Sequence, residues 1–279
     1  MLRSFAVLSI LAGLAFAGPA KAAQSFDSCA GFIDSLPATI TTPGTWCLRK
    51  DLSTAARQGG AITVNADRVI LDCNDFKLEG TAGLVTNASG ILSSNNARRG
   101  IIVRNCQVQG FRYGIALLGS HHIVEDSRIE DAYYVGIATN GSTNTVRGNT
   151  VRRIGGNPYV IGPSSRRAIG ISMFGPHAFA SNNTVAEVDA GLNGGMGGDY
   201  STGIMMSGVV ENNRVLDIAF IAAGLHIMGA GSVVRGNHVS GGSAESGSGI
   251  FCDSERNLLR NNDVDGYEYT FFRCTQPAP

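Results

Sequence analysis

Two adjacent arginines, Arg166 and Arg167, close the stretch "GGNPYVIGPSSRRA" (155–168), which also carries Tyr159; Tyr200 and His226 follow further along the chain. Paired guanidinium groups can grip a carboxylate through parallel hydrogen bonds. Imidazole accepts a proton near neutral pH, and a phenol can return one. Such a set would hold an anionic substrate and move a proton beside its carboxylate. The plainer interpretation is a solvated loop with two arginines and an ordinary surface histidine. The elements that carry these residues decide between the two.

Those elements repeat. The pattern Val-x-x-Asn-x-Val runs through "LDCNDF" (71–76), "VRNCQV" (103–108), "VEDSRI" (124–129), "VRGNTV" (146–151), "ASNNTV" (180–185), "VENNRV" (210–215), "VRGNHV" (234–239) and "LRNNDV" (259–264). Its fourth position reads Asn74, Cys106, Ser127, Asn149, Asn183, Asn213, Asn237, Asn262, at spacings of 32, 21, 22, 34, 30, 24 and 25 residues. A core period of 21–25 residues is therefore interrupted by insertions. A second marker, Gly followed by alternating apolar residues, recurs as "GILS" (90), "GIAL" (114), "GIAT" (136), "GISM" (170), "GIMM" (203), "GLHI" (224) and "GIFC" (249). That alternation is a strand with one buried face.

Short strands and turns at this period predict a coiled β-solenoid, with each position stacked about 4.8 Å above its counterpart. Leucine-rich repeats lack a match for their Leu-x-x-Leu-x-Leu pattern, and propeller blades need longer units. Asn at the fourth position is expected to take the left-handed backbone conformation of a sharp corner, and to form an amide ladder from coil to coil.

Composition agrees. Thirty-seven glycines and 16% charged residues call for many turns, while 43% hydrophobic residues exclude a disordered Gly/Ser chain. Arg3, the apolar run "FAVLSILAGLAFAG" and the small residues Ala20 and Ala22 read as a secretory signal peptide over residues 1–22. The rest carries 20 basic and 22 acidic side chains, a balance that makes no case for nucleic acid, and no further apolar run of transmembrane length. All six cysteines lie in the exported part, where disulfides can form. The expected location is secreted or periplasmic.

The Asn corner between two short strands, a variable loop and then Gly-Ile-x-φ resembles right-handed parallel β-helix proteins of the pectin-lyase-like superfamily, over about residues 61–274. The resemblance implies an all-β fold: a single-stranded right-handed parallel β-helix with three short parallel sheets, about 8–10 coils and an N-terminal cap. The chain would then divide into signal peptide (1–22), cap and first coil (23–60), β-helix (61–274) and C-terminal tail (275–279). In that frame Cys29–Cys47 closes the cap and Cys252–Cys274 pins the last turn. Cys73 and Cys106 are either a third bridge or two stacked thiols.

The resemblance also makes Gly-Ile-x-φ the first sheet, which floors a polysaccharide cleft in this superfamily. Its outward positions are Leu92, Ala116, Ala138, Ser172, Met205, His226 and Phe251. The insertions 155–168 and 189–202 would wall the cleft, so Ser172, Met205, Phe251 and Tyr159 are expected to bind substrate. For a uronate lyase or epimerase, Arg166 and Arg167 would neutralise the carboxylate, His226 would be the base, and Tyr159 or Tyr200 the proton donor. Against this, the aspartates that hold Ca²⁺ in pectate lyases and the Asn-Thr-Asp, Asp-Asp and Gly-His-Gly blocks of polygalacturonases are absent. "GPHAF" (175–179) lacks both acids of the epimerase stretch it is similar to, which leaves His177 without its partners.

"GGMGGD" (194–199) matches the start of a calcium-binding repeat, but only once, so Ca²⁺ has weak support and no other cofactor is expected. The outward row Arg214, His238, Asp263 reads as charge that keeps a sheet soluble. The expectation is a monomer that binds polysaccharide in a groove on the first sheet. The alternatives are a lyase or epimerase on a uronate glycan, and a non-catalytic scaffold or adhesin.

Overall fold

The computed structural model describes residues 26, 28–156, 167–191, 200–219, 222–241 and 247–275. The signal-peptide stretch, Tyr159, Arg166 and "GGMGGD" lie outside them.

One coil shows the plan. Thr145–Arg147 turns into Thr150–Gly155, the chain returns along Arg167–Phe174, and Phe179–Ser181 begins the next coil directly above Thr145–Arg147. Among the described residues repetition builds three sheets of ten, nine and ten strands, every pairing parallel. The strands of the Gly-Ile-x-φ marker form the first sheet, those before the Asn corner the second and those after it the third. The chain is thus an all-β parallel β-helix. Stacking begins at Gly31–Ile33, within the stretch assigned to cap and first coil.

The repeat pattern produces this stack because the inward residues of each strand meet their counterparts on the next coil. Val103, Val124, Val146, Ala180, Val210 and Val234 line the core from the second sheet, and Ile129, Val151, Val185, Val215 and Val239 from the third. Ile91, Ile115, Ile137, Ile171, Ile204, Leu225 and Ile250 complete it from the first, all buried. Each large aliphatic side chain contributes about 1.5–3 kcal/mol by leaving water.

The corner differs from expectation in one respect. The left-handed residue is the third of the motif: Asn105, Asp126, Gly148, Asn182, Asn212, Gly236 and Asn261 have φ between 48° and 67°. Only in the first corner does Asn74 itself take that conformation, with φ 48°. The fourth-position Asn instead turns inward. Asn149 Nδ2 donates to Asn183 Oδ1 at 3.0 Å, Asn183 to Asn213 at 2.9 Å, Asn213 to Asn237 at 3.0 Å and Asn237 to Asn262 at 2.9 Å. The same oxygens accept the backbone N–H of the preceding corner, so two buried donors are satisfied at once. The division of labour follows from geometry, since the bend needs a residue that tolerates positive φ and the ladder needs an amide facing the core.

Three disulfides are formed: Cys29–Cys47, Cys73–Cys106 and Cys252–Cys274. Cys73 and Cys106 are therefore bridged. A second buried polar row, unread in the sequence, lies where the first sheet turns into the second. His122 N–H donates to Asn144 Oδ1 at 2.9 Å, and Ser232 N–H donates to Asn257 Oδ1 at 2.9 Å. His122 Nδ1 accepts the Ile101 N–H at 3.1 Å, so its proton sits on Nε2, which faces Leu118 O at 3.2 Å. Burial holds this imidazole below its ordinary pKa.

Among the described residues no helix is long and apolar enough to cross a membrane. No group of three or more His, Cys, Asp or Glu side chains among them is placed to hold a metal.

Candidate functional site

The outward row of the first sheet runs in register: Leu92, Ala116, Ala138, Ser172, Met205, His226, Phe251 and Phe272. Ala116, Ala138 and Ser172 are small, so the surface sinks there into a groove of about 370 Å³. Tyr113, Tyr134 and Arg167, near the strand starts, form one wall; Leu118, Asn140 and Phe174, at the strand ends, form the other. Phe174 is 42% exposed, a large apolar ring offered to the groove.

The tyrosine wall is held by its own contacts. Tyr113 and Tyr134 meet edge to face at 5.4 Å, and the Arg112 guanidinium lies 5.7 Å and 5.3 Å from their ring centres. Arg112 is anchored by Nη1 donating to Asn87 Oδ1 at 2.6 Å. Burial raises the Tyr113 hydroxyl, which stays protonated and able to donate. Aromatic faces beside fixed hydrogen-bonding groups suit a polyhydroxylated ring, with apolar C–H faces and polar rims.

Arg167 pairs in register with Tyr200 on the next coil. Burial is the main cause that raises the pKa of the Tyr200 hydroxyl; the Thr202 side chain and then the Arg167 charge lower it, and Asp253 raises it. His226 lies beyond, its ring edge-on to Phe251 at 4.8 Å. Its Nε2 stands 2.9 Å from Asp253 Oδ1, while Nδ1 is enclosed with no hydrogen-bond partner among the described residues. The imidazole is 18% exposed and the carboxylate 45%. Asp253 is therefore the more exposed member of the pair, and His226 holds it in place.

The structure thus puts Arg167, Tyr200, His226, Ser172, Met205 and Phe251 on one face. Sequence reasoning missed Asp253, Arg112, Tyr113, Tyr134 and Phe174, which stand in the turns or at strand ends where the copies differ. His177 lies in a turn with φ 59°. His238 Nδ1 pairs with Asp263 Oδ2 at 2.9 Å on the third sheet, away from the groove.

A second hollow of about 440 Å³ opens where the third sheet turns toward the first, lined by Asp131, Glu187, Asp189 and Asp217. Its Arg153 is bound to Asp131 at 2.8 Å and Glu130 at 3.0 Å. That surplus of carboxylates disfavours an acidic glycan, whereas the first-sheet groove has Arg167 and, among the described residues, no carboxylate in its lining.

Solved structures with a similar fold include the alginate lyase from Paenibacillus sp. strain FPU-7 (TM-score 0.51, 12% identity, 89% of this chain and 99% of that one). The Dettilon tailspike protein aligns at TM-score 0.48 and 13% identity, over 82% of this chain and 54% of that one, so the chain spans about half the tailspike's length. The A-module of the mannuronan C-5 epimerase of Azotobacter vinelandii aligns at TM-score 0.34 and 13% identity, over 84% and 81%. No curated protein matches by sequence. The model of the right-handed β-helix region matches residues 47–151 and 89–266. With coils, register and core already accounted for, that match means the chain belongs to the right-handed β-helix family.

Proposed function

We propose that this is an exported protein that binds a polysaccharide along the groove of the first sheet. The observation that carries the proposal is the groove itself: small residues sink its floor, Tyr113, Tyr134 and Phe174 supply apolar walls, and Arg167 is its charged lining group. Three disulfides fit an oxidising compartment. An alginate lyase shares the fold, which makes a glycan ligand compatible with this scaffold. Electrophoresis through gels containing dissolved polysaccharides tests the reading. An acidic glycan should retard the chain, and Tyr134→Ala and Arg167→Gln should each release it. Unchanged mobility in every acidic and neutral glycan would reject it.

A catalytic reading has one observation in its favour, the register that sets Arg167 beside Tyr200, whose hydroxyl also feels the Asp253 charge. In a uronate lyase, Arg167 would neutralise the carboxylate. A base would take the adjacent C5 proton, whose electron pair forms the C4–C5 double bond as the C4–O bond breaks. Tyr200 would give its proton to the leaving oxygen. His226 has no free nitrogen toward the groove, so Asp253 is the base this geometry offers, with His226 as its positioning residue. Unsaturated uronate products, absorbing in the ultraviolet and lost in Asp253→Asn, would establish the reading; intact polymer after prolonged incubation would reduce the protein to a binder or scaffold.

A further inference from the structure

We infer that two copies of this chain join end to end through their last coils, each Tyr269–Phe272 strand pairing antiparallel with its counterpart across a two-fold axis.

The two ends of the stack differ. Where it begins, Ile33, Ile40 and Leu52 lie on the outermost strands of the three sheets and are nonetheless buried. Where it ends, the outermost strands are Leu258–Arg260, Asp263–Asp265 and Tyr269–Phe272, and no described strand pairs with their outer edges. Leu258 is 36% and Tyr269 46% exposed there, and Val264 and Phe271 are only partly covered. Edge strands of this kind present unpaired N–H and C=O groups to any strand that can match them. This edge is held ready, since Cys274, just beyond it, is bridged to Cys252 on the coil beneath.

The sequence of the edge matches itself. The stretch "EYTFFR" (268–273) carries an acid at one flank, a base at the other and three aromatic rings between them. An antiparallel pair centred between Thr270 and Phe271 sets Tyr269 opposite the second copy's Phe272, and Glu268 opposite the second copy's Arg273. Symmetry makes each contact twice. Residues opposite one another in such a pair share a face. Tyr269 and Phe272 meet that condition: their rings touch edge to face at 5.4 Å, on the outward row where Phe272 stacks on Phe251 at 5.6 Å. Neither Glu268 nor Arg273 has an ion-pair partner among the described residues; Arg273 rests against the Phe272 ring, 5.6 Å from its centre. Joining like ends closes the assembly at two chains, whereas stacking one end on the other would run on as a filament.

Sedimentation of the purified chain over a wide concentration range tests the inference. The mass should rise from one chain to two and no further. Glu268→Arg and Arg273→Glu each set like charges across both contacts and should weaken the dimer about tenfold, from about threefold for each lost pair. Mixed in equal amounts, the two variants recover opposite charges at both contacts and should pair with each other as tightly as the parent chain pairs with itself. Circular dichroism of each variant controls for folding. A single-chain mass at every concentration overturns the inference and leaves the monomer expected from the sequence. A dimer that neither variant weakens, growth beyond two chains, or a mixture as weak as its separate components overturns it as well.

Discussion

His226 and Asp253 are joined at 2.9 Å through imidazole Nε2, and the other ring nitrogen, Nδ1, is enclosed without a hydrogen-bond partner among the described residues. The pairing gives the carboxylate a fixed position and leaves Nδ1 desolvated. A buried polar atom without a partner costs about 1–3 kcal/mol. That cost is borne by a residue in a row otherwise continued by Phe251 and Phe272.

His226→Phe should therefore separate stability from function. It removes the unpartnered nitrogen and continues the aromatic row, so the unfolding midpoint should rise by about 2–4 °C for a gain near 1 kcal/mol. Glycan affinity should hold, because neither His226 nor Asp253 is among the residues that line the groove. Calorimetry and gel retardation on the same preparation read both; a lowered midpoint would show that the imidazole is needed for packing.

The Asn ladder makes a second prediction. Asn183 accepts from the side chain and backbone of Asn149, and donates to Val146 O and to Asn213 Oδ1. Asn183→Ala strands several buried groups at once and should cost about 3 kcal/mol or more in urea unfolding. Asn262→Ala, at the less buried end of the row, should cost markedly less. Equal losses at the two positions would contradict a ladder whose strength depends on burial.

His122 sets a pH dependence. Its folded-state pKa lies below the unfolded value of 6.5, chiefly through burial, so below that value the unfolded chain takes up more protons. Its contribution is complete above pH 6.5 and is lost as pH falls from there through the lower folded value, at up to about 1.4 kcal/mol per pH unit. Asn144 occupies the same row with an amide, which makes His122→Asn the natural control. Denaturant unfolding at pH 8 to 5 should show a flatter profile in His122→Asn; parallel profiles would refute the assignment.

The core was legible because parallel stacking repeats each environment every coil, so Val146 and Val234 are apolar for the same reason. The recurrence of Val-Arg-Gly-Asn has the same origin, with Gly148 and Gly236 making the bend and Asn149 and Asn237 the ladder. Assigning the bend to Asn followed from that residue's tolerance of positive φ, which says nothing about where its amide points. The second polar row escaped notice because His122, Asn144, Ser232 and Asn257 share no residue type in common across all coils. Arg167, Tyr200 and His226 were named from their position relative to the repeat. Asp253 follows the last residue of a strand, and Tyr113 and Tyr134 meet through a contact between coils, so no spacing within one repeat pointed to them.

The central claim is that the first-sheet groove is where a glycan binds. Hydroxyl-radical footprinting with and without an acidic oligosaccharide tests it at individual side chains. Tyr113, Tyr134, Phe174 and Met205 should lose reactivity on binding, while Phe32 and Trp46 near the N-terminus remain as reactive as before. Binding accompanied by unchanged reactivity at all four groove residues, or by protection elsewhere on the helix, would contradict it.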